Sequence, residues 1–412
     1  LSTHVPGGSE AAPLLARRIR GSHPPGASVM IVLSQTPEDR ALASALEREI
    51  PPSGLRLVDT IVGDPSSARE SIAKLNAAST RIDAFACSGT TANWRLLAEA
   101  SAAFPAIGNP IIHTAPAVRR SAFLKSSNLL NIANQIAVIA IVAIGMTMVI
   151  IAGGIDLSVG SLIALSAVIA TRLIRDLGGA TSASAGAMFV CSIVGIASTG
   201  ATGAITGAVI TRFRIPPFIA TLSAMLVASG IAFILADGQS IHQVPERYVA
   251  LGRDIGPFGV PYAVLLVALL YGAAHLVMSR RRIGRYLRAV GGNAEAARLA
   301  GVPVQRVTLF AYIASGILAG LGGVVMASQL KSGSPTYGTM YELYVIAAVV
   351  VGGTSLRGGE GSVLGTLLGT LTIAVIQNGM NLLNVESYTQ KVILGLVILA
   401  AVLVDTRRRS RE

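Results

Sequence analysis

The chain has 412 residues, of which 52% are hydrophobic and only 13% charged, and it carries a formal net charge of +12. That balance excludes an ordinary soluble domain of this length and points to a protein mostly held in lipid. The charge is no sign of nucleic-acid binding, because the arginines sit in short loops between apolar stretches, the positive-inside pattern of membrane proteins. Cys87 and Cys191 fall in separate regions and define neither a disulfide framework nor a metal site, and no cofactor is expected. The chain opens on Leu1 with no charged-then-apolar leader, so either a leader has been removed or the true start lies upstream.

The first region is polar enough to be an ordinary globular lobe, and it is assigned residues 1–118. Short β-like runs at 29–33, 55–62, 82–87 and 110–113 alternate with helical stretches at 37–50, 65–79 and 91–103. Strands and helices alternating at this spacing predict a small α/β lobe with a parallel sheet covered on both faces. Trp94, the only tryptophan, is read as a packing residue. Residues 119–127, with Arg119, Arg120 and Lys125, read as a linker.

From 128 to 405 the chain reads as an α-helical polytopic membrane domain, followed by a basic tail at 406–412. Apolar stretches at 132–152, 159–174, 186–211, 217–236, 261–278, 307–327, 341–352, 363–377 and 390–404 predict about nine spans. Several fall short of the ~20 residues a straight crossing needs, so broken or partial spans are expected. The basic loop 279–288, the tail and the pair Arg212 and Arg214 all fall on the cytoplasmic side if the count is nine. The same parity puts 237–260 and the N-terminal lobe outside; because Arg119, Arg120 and Lys125 argue for the cytoplasmic side, the alternative is that residues 1–120 are cytoplasmic and one short span is re-entrant. Glycine and alanine recur at three- and four-residue spacing in 195–209, 315–328 and 365–375, a pattern that lets helices approach closely in lipid.

Within this domain, Gly145 to Leu162 breaks an apolar helix at Gly153-Gly154, places Asp156, and resumes at Ser158. A helix is interrupted at membrane depth only where protein or a watery cavity satisfies the freed backbone. Asp156 therefore reads both as an N-cap for the second helix and as a polar group lining a conduit. Asn134, Gln135, Thr147, Gln377, Asn378 and Asn381 are further polar candidates for such a path, or for hydrogen bonds between helices.

Residues 279–306 combine a basic run, a Gly-Gly-Asn turn, a short helix from Ala294 to Ala300 and a Gly-Val-Pro stop. Such a helix can seat in a groove on another protein. No lysine follows a glycine anywhere in the chain, so no phosphate-cradling GxxxxGK[ST] loop exists, and the glycine-rich run 352–362 reads as a turn. The five histidines are scattered and suggest no metal or catalytic cluster.

The motifs GGIDLSVGS at 153–161, AVGGNAEAARLAGV at 289–302, VVVGGTSLRGGEGSVLGTLLG at 349–369 and NGMNLLNV at 378–385 resemble the membrane subunit of sugar-type, ribose-like ABC importers. The resemblance runs from about 126 to 405. It implies a multi-pass permease of the bacterial inner membrane, not an enzyme, that moves a monosaccharide by alternating access. The implied partners are a separate ATP-binding subunit, a periplasmic sugar-binding protein, a second permease subunit and the bilayer, with no nucleic acid. It makes 279–306 the coupling loop for the ATPase, with Arg285, Gly291, Asn293, Glu295, Ala296, Ala297 and Gly301 at its motif positions. Gly153, Gly154, Asp156, Ser158, Asn378 and Asn381 are expected along the translocation path. Members of this family usually carry one more span, where this chain has its lobe and linker. The lobe itself resembles one lobe of a periplasmic sugar-binding protein over about 26–113, with Arg40 where such lobes contact a sugar. The Asn-Asp pair usual in such lobes is absent from CSGTTANW at 87–94. The alternative function is an ion-coupled transporter or channel using Asp156.

Overall fold

The structure is a computed structural model describing residues 2–5, 9–115, 118–121, 123 and 126–409. The chain divides into two units, Leu1–Ala122 and Phe123–Glu412.

The first unit runs β1 (Ser2–Val5), α1 (Ala12–Ser22), β2 (Ser28–Leu33), α2 (Pro37–Glu49), β3 (Arg56–Val62) and α3 (Pro65–Ala77). It continues through β4 (Ala84–Cys87), α4 (Arg95–Ala98), α5 (Ala100–Ala103), β5 (Ile111–Thr114) and β6 (Val118–Ser121). Four strands form a parallel sheet in the order β3-β2-β4-β5. The two central strands are almost wholly buried and apolar, as a sheet covered on both faces requires. Alternation decides which helix each residue meets. Val29, Ile31 and Leu33 pack with α1 and α2, while Met30 and Val32 point to the other face with Phe85, α3 and the short helices α4 and α5. Thr36 and Asp64 start α2 and α3 by accepting the Asp39 and Ser67 backbone N–H groups at 3.2 and 2.8 Å.

Three details differ from the sequence reading. Helix α1 was not expected. The stretch 91–103 folds as a turn and two four-residue helices, because Trp94 and Glu99 leave helical geometry between them. Residues 119–121, expected as linker, belong to β6, which pairs antiparallel with β1 from Ser2 against Ser121 to Val5 against Val118.

The second unit contains α6 (Ser126–Gln135), α7 (Ala137–Ile151), α8 (Val159–Asp176), α9 (Ala185–Phe213), α10 (Pro217–Leu235), α11 (Ala250–Arg253) and α12 (Tyr262–Arg280). Then follow α13 (Arg282–Gly292), α14 (Ala294–Leu299), α15 (Val304–Leu330), α16 (Tyr341–Val351), α17 (Val363–Leu382) and α18 (Ser387–Arg409). Among the described residues, five helices are long and apolar enough to cross a membrane, and six if α6 and α7, bent by 45°, make one span. The nine expected spans are thus not confirmed by length and composition. Each of the nine apolar stretches is helical, but α16 has only 11 residues and α8 ends among Arg172, Arg175 and Asp176.

Position in the bundle follows from composition. All 15 residues of α7 are buried, which suits a helix apolar on every side. The apolar window of α15 is 61% buried against 22% for α10 and α12, so α7 and α15 form the centre and the others keep a face for lipid. Small residues set the central contacts. A methyl at Gly316 would run into the Thr199 carbonyl and one at Gly203 into the Tyr312 carbonyl, so α9 and α15 touch backbone to backbone.

After α15 the chain turns back along α8. A Cβ at Gly333 would lie 2.6 Å from the Ala167 carbonyl on α8, and one at Gly338 would lie 3.0 Å from Ile163 Cβ and against the Gly160 carbonyl. From Thr171 to Gly160 is a descent of about 16 Å at 1.5 Å per residue. Helix α16 therefore starts level with the first turn of α8, and its own length of about 16 Å is half of a hydrocarbon core of ~30 Å. It is a half-helix.

In the first unit, His23 Nε2 and His113 Nε2 lie 3.1 Å apart. Burial, then the charges of His23 and Arg18, hold His113 below its ordinary value of 6.5. The unfolded chain then takes up a proton first as pH falls, so the stability from neutral His113 is present above 6.5 and is lost as pH drops through its depressed folded value. In the full chain, the hydrogen-exchange protection factors of β5 and α1, taken relative to the intrinsic rate at each pH, are expected to fall as pH drops from about 6.5 to 5, and His113→Gln is expected to flatten that dependence.

Candidate functional site

The break between α7 and α8 is built by the end of one helix and the start of the next. Gly153, with φ at +84°, lets the Gly153 and Gly154 N–H groups turn back to the Ile150 and Val149 carbonyls, both at 2.9 Å. Ser158 takes the N-cap position of α8 but makes no side-chain cap bond. The capping expected of Asp156 takes another form. Its Oδ1 accepts from the Ser158 N–H at 3.0 Å and the Ser158 hydroxyl at 2.6 Å, and its Oδ2 accepts from the Ser315 hydroxyl at 2.7 Å. At 1% exposure the carboxylate bolts the break to the middle of α15, and it does not line an open conduit in this conformation. The buried Tyr312 hydroxyl, without a hydrogen-bond partner, lies against Gly154.

Helix α16 ends as α7 does. Gly353, φ +85°, donates to the Val350 carbonyl at 2.8 Å, and Thr354 to Val349 at 3.2 Å. The loop that follows folds under α7, where the Gly359 N–H donates to the Ile151 carbonyl at 2.9 Å. Gly291, near the end of α13, lies in the same place: a Cβ on it would run into the Ile151 carbonyl and stand 2.6 Å from Gly359 N. Gly358 in turn approaches Gly153, its Cβ position 3.0 Å from the Gly153 Cα. Three chain segments thus meet through glycine backbone alone.

Beyond that junction stands the short helix expected from sequence. Asn293 starts it, its Oδ1 accepting the Glu295 and Ala296 N–H groups at 3.0 and 2.9 Å, and Gly301, φ +83°, follows its end. Ala297 faces the core with Leu287 and Val290, while Glu295, Ala296 and Arg298 are exposed and Leu299 is 79% exposed. The basic run before it, read as a loop, is helix α13, which buries Gly284, Leu287 and Val290 and leaves Arg285 exposed. The spacing of those buried residues was the signal for it.

The remaining candidates scatter. Asn378 is a bolt between helices, exchanging amide hydrogen bonds of 3.0 and 3.1 Å with Asn128. Asn381 accepts from Gln390 and lines a cavity of about 260 Å³ with Gln135, Gln377, Tyr341 and Tyr344. Thr147 shares a 2.7 Å hydrogen bond with Thr366, and Asn134 donates to the Gly252 carbonyl at 3.1 Å. In the first unit Arg40 is exposed. The buried Asp39 carboxylate accepts from the Ser34 N–H at 2.9 Å and the Ser88 hydroxyl at 3.1 Å, where a sugar would need free groups.

A bundle of apolar helices with interrupted spans and a short exposed helix at its margin defines a multi-pass membrane permease. A family model described as the permease component of branched-chain amino acid transport systems matches residues 128–402, and the chain belongs to that family. The ribose import permease protein RbsC of Escherichia coli (strain K12) is 41% identical over 290 residues, covering 70% of this chain and 88% of that one. RbsC of Bacillus subtilis (strain 168) is 38% identical over 307 residues, 74% of this chain and 93% of its own length. The L-arabinose transport system permease protein AraH of E. coli (strain K12) is 34% identical over 285 residues, 69% and 84% of the two chains. No solved structure matches. The matched segment lies wholly in the second unit.

The glycine junction gives a paired test. Gly291→Ala is expected to destabilise the protein by about 1–3 kcal/mol, the usual cost of overfilling a packed site. Gly292→Ala, whose Cβ would meet nothing within 4 Å, is expected to leave stability unchanged. Thermal unfolding in detergent, followed by size-exclusion chromatography, checks both.

Proposed function

We propose that this chain is the membrane subunit of an ATP-driven importer that carries a monosaccharide of ribose or arabinose type into the cell by alternating access. It works beside a second permease subunit in a bacterial inner membrane. ATP is hydrolysed by a separate ATP-binding subunit that docks on α14, and a periplasmic sugar-binding protein delivers the substrate. The observation that carries this reading is α14 itself: a capped, exposed helix with an apolar residue, Leu299, at its solvent side, tied at its start to the ends of α7 and α16. Relatives named as ribose and arabinose permeases, matched along most of the second unit, support the substrate class. The basic loops then face the cytoplasm and residues 1–118 the outside. The lobe is read as a sugar-binding-protein half in which Asp39, beside Arg40, is held by Ser34 and Ser88.

The ion-coupled alternative gains nothing from Asp156, whose two oxygens are held by three hydrogen bonds. Reconstitution with the ATP-binding subunit and a loaded binding protein, using a panel of labelled sugars, is expected to show uptake only with ATP. Leu299→Asp is expected to abolish both ATPase association and uptake while the protein stays monodisperse. Uphill uptake driven by an ion gradient without nucleotide would overturn the reading.

A further inference from the structure

Glu342 stands in the first turn of α16, where the half-helix meets the first turn of α8. Its carboxylate lies against Gly160, and only a glycine leaves it room: a methyl there would meet Glu342 Oε2 and stand 2.5 Å from the Gly338 carbonyl. Beside it opens a cavity of about 240 Å³ between α8, α10 and the segment leading into α16. Glu342, Ser161, Ser229, Tyr337 and Thr339 give its polar wall, and Met225 on α10 belongs to the apolar one. Glu342 is half-buried, and among the described residues no cation and no side-chain donor meets its carboxylate. The Ser161 and Ser229 hydroxyls likewise make no hydrogen bond within the described chain.

A carboxylate inside a membrane bundle whose one hydrogen bond comes from its own backbone N–H is costly, and such groups mark substrate paths. The chemistry of the wall names the substrate class. A carboxylate accepts only, so its two oxygens suit two adjacent hydroxyl donors; serine and threonine hydroxyls can both give and take hydrogen bonds. Methionine and leucine offer a surface for the C–H face of a ring. The volume falls below the ~300–1,000 Å³ of sites for drug-sized ligands and suits a smaller one.

We propose that Glu342, with Ser161, Ser229 and Thr339, forms a subsite that holds a neutral polyhydroxylated molecule, the sugar in transit, at the start of the half-helix α16. This rests on the importer reading above. The site is weak by construction, with one carboxylate and an open mouth, so that the sugar can leave again.

The test uses the complete importer in proteoliposomes with equal amounts of loaded binding protein. Glu342→Gln, which keeps size and removes the charge, is expected to lower ATP-driven uptake at low substrate about tenfold, the effect of losing a hydrogen bond to a charged group. As an independent measure, a thiol-modifying reagent is applied to Ser229→Cys in a background with Cys87→Ser and Cys191→Ser. Millimolar sugar is expected to slow modification, and adding Glu342→Gln is expected to remove that protection. Should Glu342→Gln fail to reach the membrane, protection of Ser229→Cys by sugar, and its absence with a non-hydroxylated solute, still decides. Sugar uptake that is unaltered in Glu342→Gln, or labelling of Ser229→Cys that ignores sugar, overturns the subsite alone. No ATP-driven sugar uptake by the unsubstituted chain overturns the importer reading and the subsite with it.

Discussion

Direct backbone contact through glycine is the constraint from which the membrane unit is assembled. In lipid, apolar side chains gain little by turning from tails to one another, so helices associate where their surfaces fit closely. Here α15 reaches α9 at Gly316 and Gly203, α8 at Gly323, whose Cβ would run into the Ile163 carbonyl, and α7 opposite Gly145, whose Cβ would stand 2.7 Å from the Ser315 Cα. Such contacts leave no slack. A helix held this way moves as a body or not at all, because packed interfaces shift between discrete arrangements and do not deform smoothly.

The same economy of side chains shapes the junction beneath α7. Gly153, Gly291, Gly358 and Gly359 bring the end of α7, the end of α13 and the loop after α16 into contact with no side chain between them. One residue beyond Gly292 begins the capped helix α14. Three residues beyond Gly153 stands Asp156, fixed to Ser158 and Ser315, and α16 runs from that loop back to Glu342. The start of α14 is thus joined through backbone contacts to the ends of α7 and α16.

Much of this was legible in the residues. All nine apolar stretches are helical, the four strands of the parallel sheet fall where the β-like runs stand, and α14 occupies the expected span with Asn293 as its cap. What escaped shares a physical cause. Hydropathy measures length of apolar sequence, and a half-helix flanked by a descending polar segment has none to spare. Residues 331–340, KSGSPTYGTM, carry Gly, Pro and Ser and no apolar run, and they lie along α8 because Gly333 and Gly338 admit close approach. For the same reason the nine expected crossings are not confirmed by length and composition, by which five or six helices among the described residues qualify. Of the two roles the sequence left open for Asn378, the hydrogen bond between helices is the one seen; its partner Asn128 is 250 positions away, and pairing at that distance leaves no local trace. Helix α13 could have been found from its buried positions, but its arginines drew attention to charge.

Glu342 and Asp156 show why a lone carboxylate cannot be assigned from sequence. Both follow the same compositional rule, an acidic residue at the edge of an apolar helix, and both are expensive unless compensated. Asp156 finds its compensation inside the fold, with every oxygen held by serine donors from its own turn and from α15. Glu342 finds only its own backbone N–H among the described residues and faces a cavity. The difference lies in what stands opposite each one: Ser315 for Asp156, and only the bare backbone of Gly160 for Glu342. A saturated carboxylate stiffens the break it sits in. An unsaturated one keeps its hydrogen-bonding capacity for a guest, and a transport path needs the first to hold its shape and the second to recognise what passes.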